Sequence, residues 1–279
     1  MDAQTQRPRE FHHKRSLGQN FLTDEATLQK LVELSGVGEN DNVLEIGAGA
    51  GDLTRRLAAR AGRVIAVEID KTLLPILRVA LEKCPNVTLI EGDAMRLNLP
   101  ELTREWDKFS VVANIPYYLT TDLLTLLMTS GMPIASVSVM VQREAAERIV
   151  AAPGEKNYGM LAVRAQYYFE PYIALDVPRA LFTPPPHVDS AFVVMPRREA
   201  APYPVENEAL FFRVASAAFA MRRKTMLNNL LNAFRLPRDT AERWLLDAGF
   251  DPNVRGETLS GAEFARLANA CPEEWKQPK

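Results

Sequence analysis

Asn114-Ile115-Pro116-Tyr117 is the segment of this chain best equipped for chemistry. An exocyclic amine on an adenine ring is a poor nucleophile, because its lone pair is delocalised into the ring. The Asn114 amide oxygen and the main-chain carbonyl of Ile115 can accept both amine hydrogens. That favours a pyramidal nitrogen and stabilises the charge that develops on alkylation. Pro116 stiffens the turn, and Tyr117 offers a flat face on which a base drawn out of its helix can stack. No histidine or acid is needed as a base, since an alkylated amine loses its proton readily to water. The competing reading is an ordinary Asn-Ile-Pro turn at the end of a strand.

Gly47-Ala48-Gly49-Ala50-Gly51 follows a short apolar run, Asn42-Val43-Leu44-Glu45-Ile46. Such a turn lets a ligand approach the backbone with no side chain between them. The dinucleotide pattern fails, because Asp52 occupies its sixth position. An adenosine-type cofactor without phosphates fits better. Glu68 lies about twenty residues further on, where an acid can accept both ribose hydroxyls. Asp93 can accept from an adenine amino group. Either acid could instead cap the helix that follows it.

The elements needed to position these groups are visible in the pattern. Strands are expected at 42–46, Arg63–Ile69, 86–91, Ser110–Ala113 and Ser136–Gln142, with helices between them, including 71–83 and 119–130. A further helix begins near Asp24, capped by Thr23 or Asp24, with Leu28, Leu31, Val32 and Leu34 at helical spacing. Short apolar strands alternating with helices specify a parallel sheet covered on both faces, with the ligand beyond the strands' carboxyl ends. Glu68, Asp93 and Asn114 each follow a different strand and should converge on that edge. Beyond Tyr158 two more strands are expected, Ala165–Ala174 and Ala191–Met195. Residues 197–206 read as a linker and everything from Asn207 as helical, with apolar stripes such as Met226, Leu227, Leu230, Leu231 and Phe234.

At 279 residues, 47% hydrophobic and 24% charged, the chain is neither disordered, collagen-like nor a disulfide scaffold. Its length suits one large domain plus a smaller one. Cys84 and Cys271 stand far apart, which fits a reducing compartment and no zinc site. No apolar run reaches the roughly 18 residues of a membrane helix, and no secretory signal is present, so a cytoplasmic location is expected. Net charge is −2, yet charge is unevenly spread. Arg222-Arg223-Lys224 lies in a stretch without acids and could contact phosphate, or could be a solvated helix end. Residues 1–16 are polar and basic, include His12-His13, and read as a mobile tail.

Taken together, SLGQNFL (16–22), VLEIGAGAGDLT (43–54), GDA (92–94), NIPY (114–117), KNYGMLAV (156–163), FTPPPHVDSAF (182–192) and FAMRRKTMLNNL (219–230) resemble the S-adenosylmethionine-dependent ribosomal RNA adenine dimethyltransferase family, almost end to end from Ser16. The resemblance implies a Rossmann-like class I methyltransferase domain with a doubly wound α/β sheet over 17–200. A small all-helical RNA-binding domain would follow over 201–279. It implies that Asn20, the Leu22 backbone, Gly47 and Gly49 hold the methionine part of S-adenosyl-L-methionine, Glu68 the ribose, and Asp93 with Ala94 the adenine. Asn114, Ile115, Pro116 and Tyr117 would orient the target base, Phe182 would stack on its other side, and Arg222, Arg223 and Lys224 would contact RNA. No metal is implied. Tyr118 and Asp122 depart from the family's usual residues, which bears on substrate positioning.

Some members act on large-subunit RNA and confer antibiotic resistance. The LGQNF, YGMLAV and RRKTMLNNL forms resemble the bacterial small-subunit branch more. For that branch the expected substrate is a pair of adjacent adenines in a hairpin near the 3′ end of small-subunit RNA, on an assembling 30S particle, and the enzyme is a monomer. The rival from another class is an assembly factor whose RNA binding matters more than its catalysis.

Overall fold

The computed structural model describes residues 20–276; the basic tail expected over 1–16 lies outside them. After β1 (Phe21–Leu22) comes α1 (Glu25–Leu34), whose N-terminus is capped by the Asp24 carboxylate accepting from the Thr27 N–H at 2.8 Å. The alternating region then runs β2 (Asn42–Ile46), α2 (Asp52–Ala58), β3 (Arg63–Glu68), α3 (Leu74–Ala80), β4 (Val87–Glu91), α4 (Leu99–Leu102), β5 (Phe109–Asn114), α5 (Thr120–Thr129), β6 (Ile134–Gln142) and α6 (Arg143–Val150). All five expected strands form. The helix expected over 71–83 is confined to 74–80, where Pro75 near its start supplies no N–H to the ladder.

The seven-stranded sheet has the order β4-β3-β2-β5-β6-β9-β7, in which β7 is Tyr172–Val177 and β9 is Ser190–Pro196. The pairs among β2 to β6 are parallel. β9 runs antiparallel to both of its neighbours. A separate antiparallel pair joins β1 to β8 (Phe182–Thr183). Leu28, Leu31, Leu53 and Leu57 bury one face of the sheet. Leu123, Leu124, Leu127, Ala146, Ile149 and Leu161 bury the other. A doubly wound α/β sheet results.

The strand expected over Ala165–Ala174 is corrected. α7 (Met160–Tyr168) occupies its first half, and β7 starts only at Tyr172. The reason is visible in the packing. Leu161 and Ala165 face the sheet core, while Ala162, Val163 and Tyr167 face the core of the C-terminal helices. A helix apolar on two opposed sides shows no single 3.6-residue stripe, and Ala165, Tyr167 and Phe169 imitate the alternation of a strand.

The chain ends in α8 (Glu208–Ala220), α9 (Met226–Phe234), α10 (Arg238–Asp247) and α11 (Gly261–Asn269). Trp244 is buried at their centre, its indole N–H donating to the Leu267 carbonyl at 2.8 Å. α11 starts with a capping box between Ser260 and Glu263. Their core includes Tyr158 and Tyr167 from the preceding region, so the joint is apolar and continuous. Among the described residues, no helix is long and apolar enough to cross a membrane.

Candidate active site

β2 and β5 lie side by side, and chain order reverses between them, since β3 and β4 extend the sheet one way and β6 the other. Such a switch point opens a crevice beyond the strand ends. Ile46 pairs with Ala113, so the glycine turn after β2 comes up against Asn114 at the end of β5. A Cβ on Gly47 would stand 3.2 Å from the Asn114 carbonyl oxygen. Gly49, at φ +60°, would bring a Cβ to 3.0 Å from the Phe21 ring. The turn is thus closed on one side by the Asn114 loop and on the other by the β1 strap. Both approaches need glycine.

These elements enclose a cleft of about 890 Å³, its solvent-open mouth included. Asn20, Leu22, Gly47, Gly49, Glu68 and Asn114 line it, together with Ile115, Pro116 and Tyr117. Its ionisable lining among the described residues is acidic throughout: Glu45, Asp52 and Glu68, with no lysine, arginine or histidine. Asp52 is paired with Arg55 at 2.6 Å.

Glu68, 5% exposed, accepts from the Gly49 N–H and from the Asp70 N–H, both at 2.8 Å. Each carboxylate oxygen keeps a lone pair for a ligand hydroxyl. Burial pushes its carboxyl above the ordinary range, and the two backbone donors oppose that. Glu45 is more extreme. It is 1% exposed, and neither of its oxygens has a hydrogen-bond partner. Burial drives its carboxyl up to about 8; the nearby Thr54 hydroxyl pulls the other way and the Glu68 charge adds to the rise.

With Glu45 protonated and Asp52 paired, Glu68 is the carboxylate this lining offers, and no basic side chain among the described lining residues is placed to hold a phosphate. Such a cleft suits a cationic nucleoside derivative whose hydroxyls and amino groups donate. S-adenosylmethionine has that charge and those groups.

At the cleft's other end Asn114 donates from Nδ2 to the Asn20 carbonyl at 3.3 Å, which leaves Oδ1 as its free acceptor. The Pro116 carbonyl is engaged by the Leu119 N–H at 2.9 Å. Tyr117 is half-buried, and its hydroxyl shares a 2.8 Å hydrogen bond with Ser190 Oγ. Burial raises its phenol; the Ser190 bond acts downward and the Asp189 charge upward.

Six of the residues named from sequence are not part of the cleft wall. Asp93 lies beside Glu68 at the same sheet edge, but its Oδ1 accepts from the Met95 N–H at 2.9 Å and Oδ2 sits 3.4 Å from Arg96. Ala94 is buried in the sheet core. Phe182 is 3% exposed and packs with Leu22 in the core beneath β1 and β8 rather than facing the cleft. Arg222, Arg223 and Lys224 form the turn between α8 and α9. Arg222 Nε pairs with Glu257 at 3.0 Å, while Arg223 and Lys224 are exposed. Glu45, Phe21 and Ser190 were not anticipated. Glu45 alone carried a signal, as an acid inside an apolar strand.

The family model described as ribosomal RNA adenine dimethylase matches residues 10–271. The chain belongs to that family. The ribosomal RNA small subunit methyltransferase A of Geobacillus thermodenitrificans is 46% identical over 269 residues, 93% of this chain and 91% of that protein. Its namesake in Shouchella clausii is 47% identical over 266 residues, 93% of this chain and 90% of that protein. Among solved structures of the family's fold, a dimethyladenosine transferase from Plasmodium falciparum aligns at TM-score 0.76 with 25% identity, covering 88% of this chain and 95% of that one. The 23S rRNA methyltransferase ErmE aligns at TM-score 0.71 with 27% identity, covering 92% of this chain and 100% of that one.

Proposed function

We propose that this chain dimethylates the exocyclic N6 of two adjacent adenines in a hairpin near the 3′ end of small-subunit ribosomal RNA, using S-adenosylmethionine. It acts as a cytoplasmic monomer on an assembling 30S particle. The observation that carries this is the cleft that joins Glu68 to the Asn114–Tyr117 turn, with no basic side chain among its described lining residues and Asn114 Oδ1 left as an acceptor.

When bound, S-adenosylmethionine supplies an electrophilic methyl carbon on a positively charged sulfur. Glu68 would accept the ribose hydroxyls through its remaining lone pairs, Asp93 and Ala94 would border the adenine, and Asn20, Leu22, Gly47 and Gly49 would hold the amino-acid end. Asn114 Oδ1 and the Ile115 carbonyl accept the two hydrogens of the target amine, turning its lone pair into the cleft. Tyr117 stacks on the extruded base, with Phe182 supporting the strap beneath it. Such alignment can contribute about 7–11 kcal/mol. The product nitrogen sheds its proton to water. A monomethylated amine has one hydrogen left, so the base must rotate or rebind for the second transfer. The helical segment 201–279 acts as the RNA-binding domain beside the catalytic domain 17–200, with Arg223 and Lys224 reaching phosphates.

A small-subunit substrate is favoured over a large-subunit one because relatives named for the small subunit are 46–47% identical, against 27% for ErmE. The test supplies labelled methyl donor with unmethylated small subunits and, separately, large subunits, then maps the modified nucleotides. Label on two adjacent small-subunit adenines is the expected result. Label confined to large subunits refutes the reading.

A further inference from the structure

Ser190 lies outside the cleft wall, yet it holds the residue at the cleft mouth. Its hydroxyl is 2.8 Å from the Tyr117 hydroxyl, and the residue is 1% exposed. It opens β9, which is hydrogen-bonded on both sides: Ser190 pairs with Gln142 of β6 and with Val177 of β7. The loop leading to it is tied down as well. The Arg179 N–H donates to Asp189 Oδ1 at 2.9 Å, and the Arg143 N–H to the Asp189 carbonyl at 3.0 Å. The serine is therefore a fixed point. Tyr117, by contrast, sits on a single turn of 3-10 helix (Tyr117–Leu119), beside the exposed Tyr118 (63%).

We propose that Ser190 is a positioning residue for methyl transfer, acting through Tyr117: its buried hydroxyl anchors the phenol so that the ring stands as a fixed stacking face for the target base. This rests on the functional reading above. A ring held at both its Cβ and its hydroxyl cannot swing about χ1, so the base it stacks is presented to Asn114 at one height. Without the anchor the ring samples other rotamers, and fewer encounters place the amine in line. RNA affinity, dominated by phosphate contacts elsewhere, is untouched. The signature is a loss in kcat without a change in KM.

The experiment measures methyl transfer to unmethylated small subunits by the wild type, Ser190→Ala, Ser190→Thr, Tyr117→Phe and the Ser190→Ala/Tyr117→Phe double variant. S190A and Y117F should each lose about tenfold in kcat, the size expected for one hydrogen bond, with KM for subunits and Kd for S-adenosylmethionine unchanged. The double variant should lose no more than either single one, because both remove the same bond. S190T, which keeps the hydroxyl, should recover most of the rate. Wild-type kcat in Y117F overturns the proposal even if S190A fails to fold. Multiplying losses in the double variant overturn it too, as does a rise in KM that accounts for the whole effect. No transfer by the wild type to small subunits removes the functional reading along with it; wild-type transfer with unaffected variants removes the Ser190 proposal alone.

Discussion

Asn114, at the end of β5, is tied through its own side-chain amide to the main-chain carbonyl of Asn20 on the N-terminal strap, 3.3 Å away. That bond does two things. It fixes which end of the amide is donor and which acceptor, leaving Oδ1 as the acceptor that the proposed methyl transfer uses. It also links the strap over the glycine turn to the Asn114–Tyr117 loop, so two sides of the cleft share one contact.

Asn114→Ala removes both effects. Losing a preorganised group that acts on developing charge costs about 10²–10³ in rate, so incorporation of labelled methyl should drop by at least that much. RNA binding, measured by filter retention of the small-subunit hairpin, should stay near the wild-type value. Retained methyl transfer would take Asn114 out of the mechanism.

Gly49→Ala tests the strap from the other side. An alanine here must hold φ near +60°, and its Cβ would sit 3.0 Å from the Phe21 ring. Adopting left-handed backbone costs a non-glycine residue about 1–2 kcal/mol, and the Phe21 ring would have to shift. The variant should fold with a lowered Tm and bind S-adenosylmethionine more weakly in calorimetry, while RNA binding is spared. An unchanged cofactor Kd would show that the close approach of Phe21 to Gly49 does not shape that end of the cleft.

Much of the frame was legible because it depends on local patterning. The five parallel strands announced themselves as short apolar runs, and Glu68 and Asn114 took their places from where those runs stop. What was not legible depends on partners distant in sequence. α7 was misread because two cores claim opposite sides of it, one of them built from helices some fifty residues later. Ser190 looked like one residue of a proline-rich block until β9 was seen inserted antiparallel between β6 and β7. Phe182 was named from the resemblance and Asp93 from its place after β4, but which way a ring or carboxylate faces is decided by neighbours. For Asp93 those are Met95, whose N–H donates to Oδ1, and Arg96, 3.4 Å from Oδ2.

The basic turn gives a third prediction. Arg222 already has Glu257 as a partner, whereas Arg223 and Lys224 are exposed. Arg223→Ala and Lys224→Ala should each weaken RNA binding and lower the slope of log K against log salt by about 1. Arg222→Ala should change the slope less, since its charge is partly spent on Glu257. Cofactor affinity should not move in any of the three. Equal slopes throughout would mark the turn as an ordinary solvated helix end.

Glu45 links the cleft to pH. Burial pushes its folded-state carboxyl up to about 8, against an ordinary value of 4.5; the Thr54 hydroxyl opposes this and the Glu68 charge adds to it. Between those values the folded chain keeps a proton that the unfolded chain has released. Stability of the unliganded protein must therefore fall as pH rises through that window, by up to about 1.4 kcal/mol per unit from this group. Below pH 4.5 both states are protonated and the group contributes no slope. Glu45→Gln replaces the acid with a neutral group of the same shape, so its stability advantage should be small near pH 5 and grow steadily toward pH 8. Urea unfolding of both proteins across that range measures the difference directly. A gap that stays constant with pH would mean that Glu45 is already ionised in the folded protein and that a donor within the fold satisfies it.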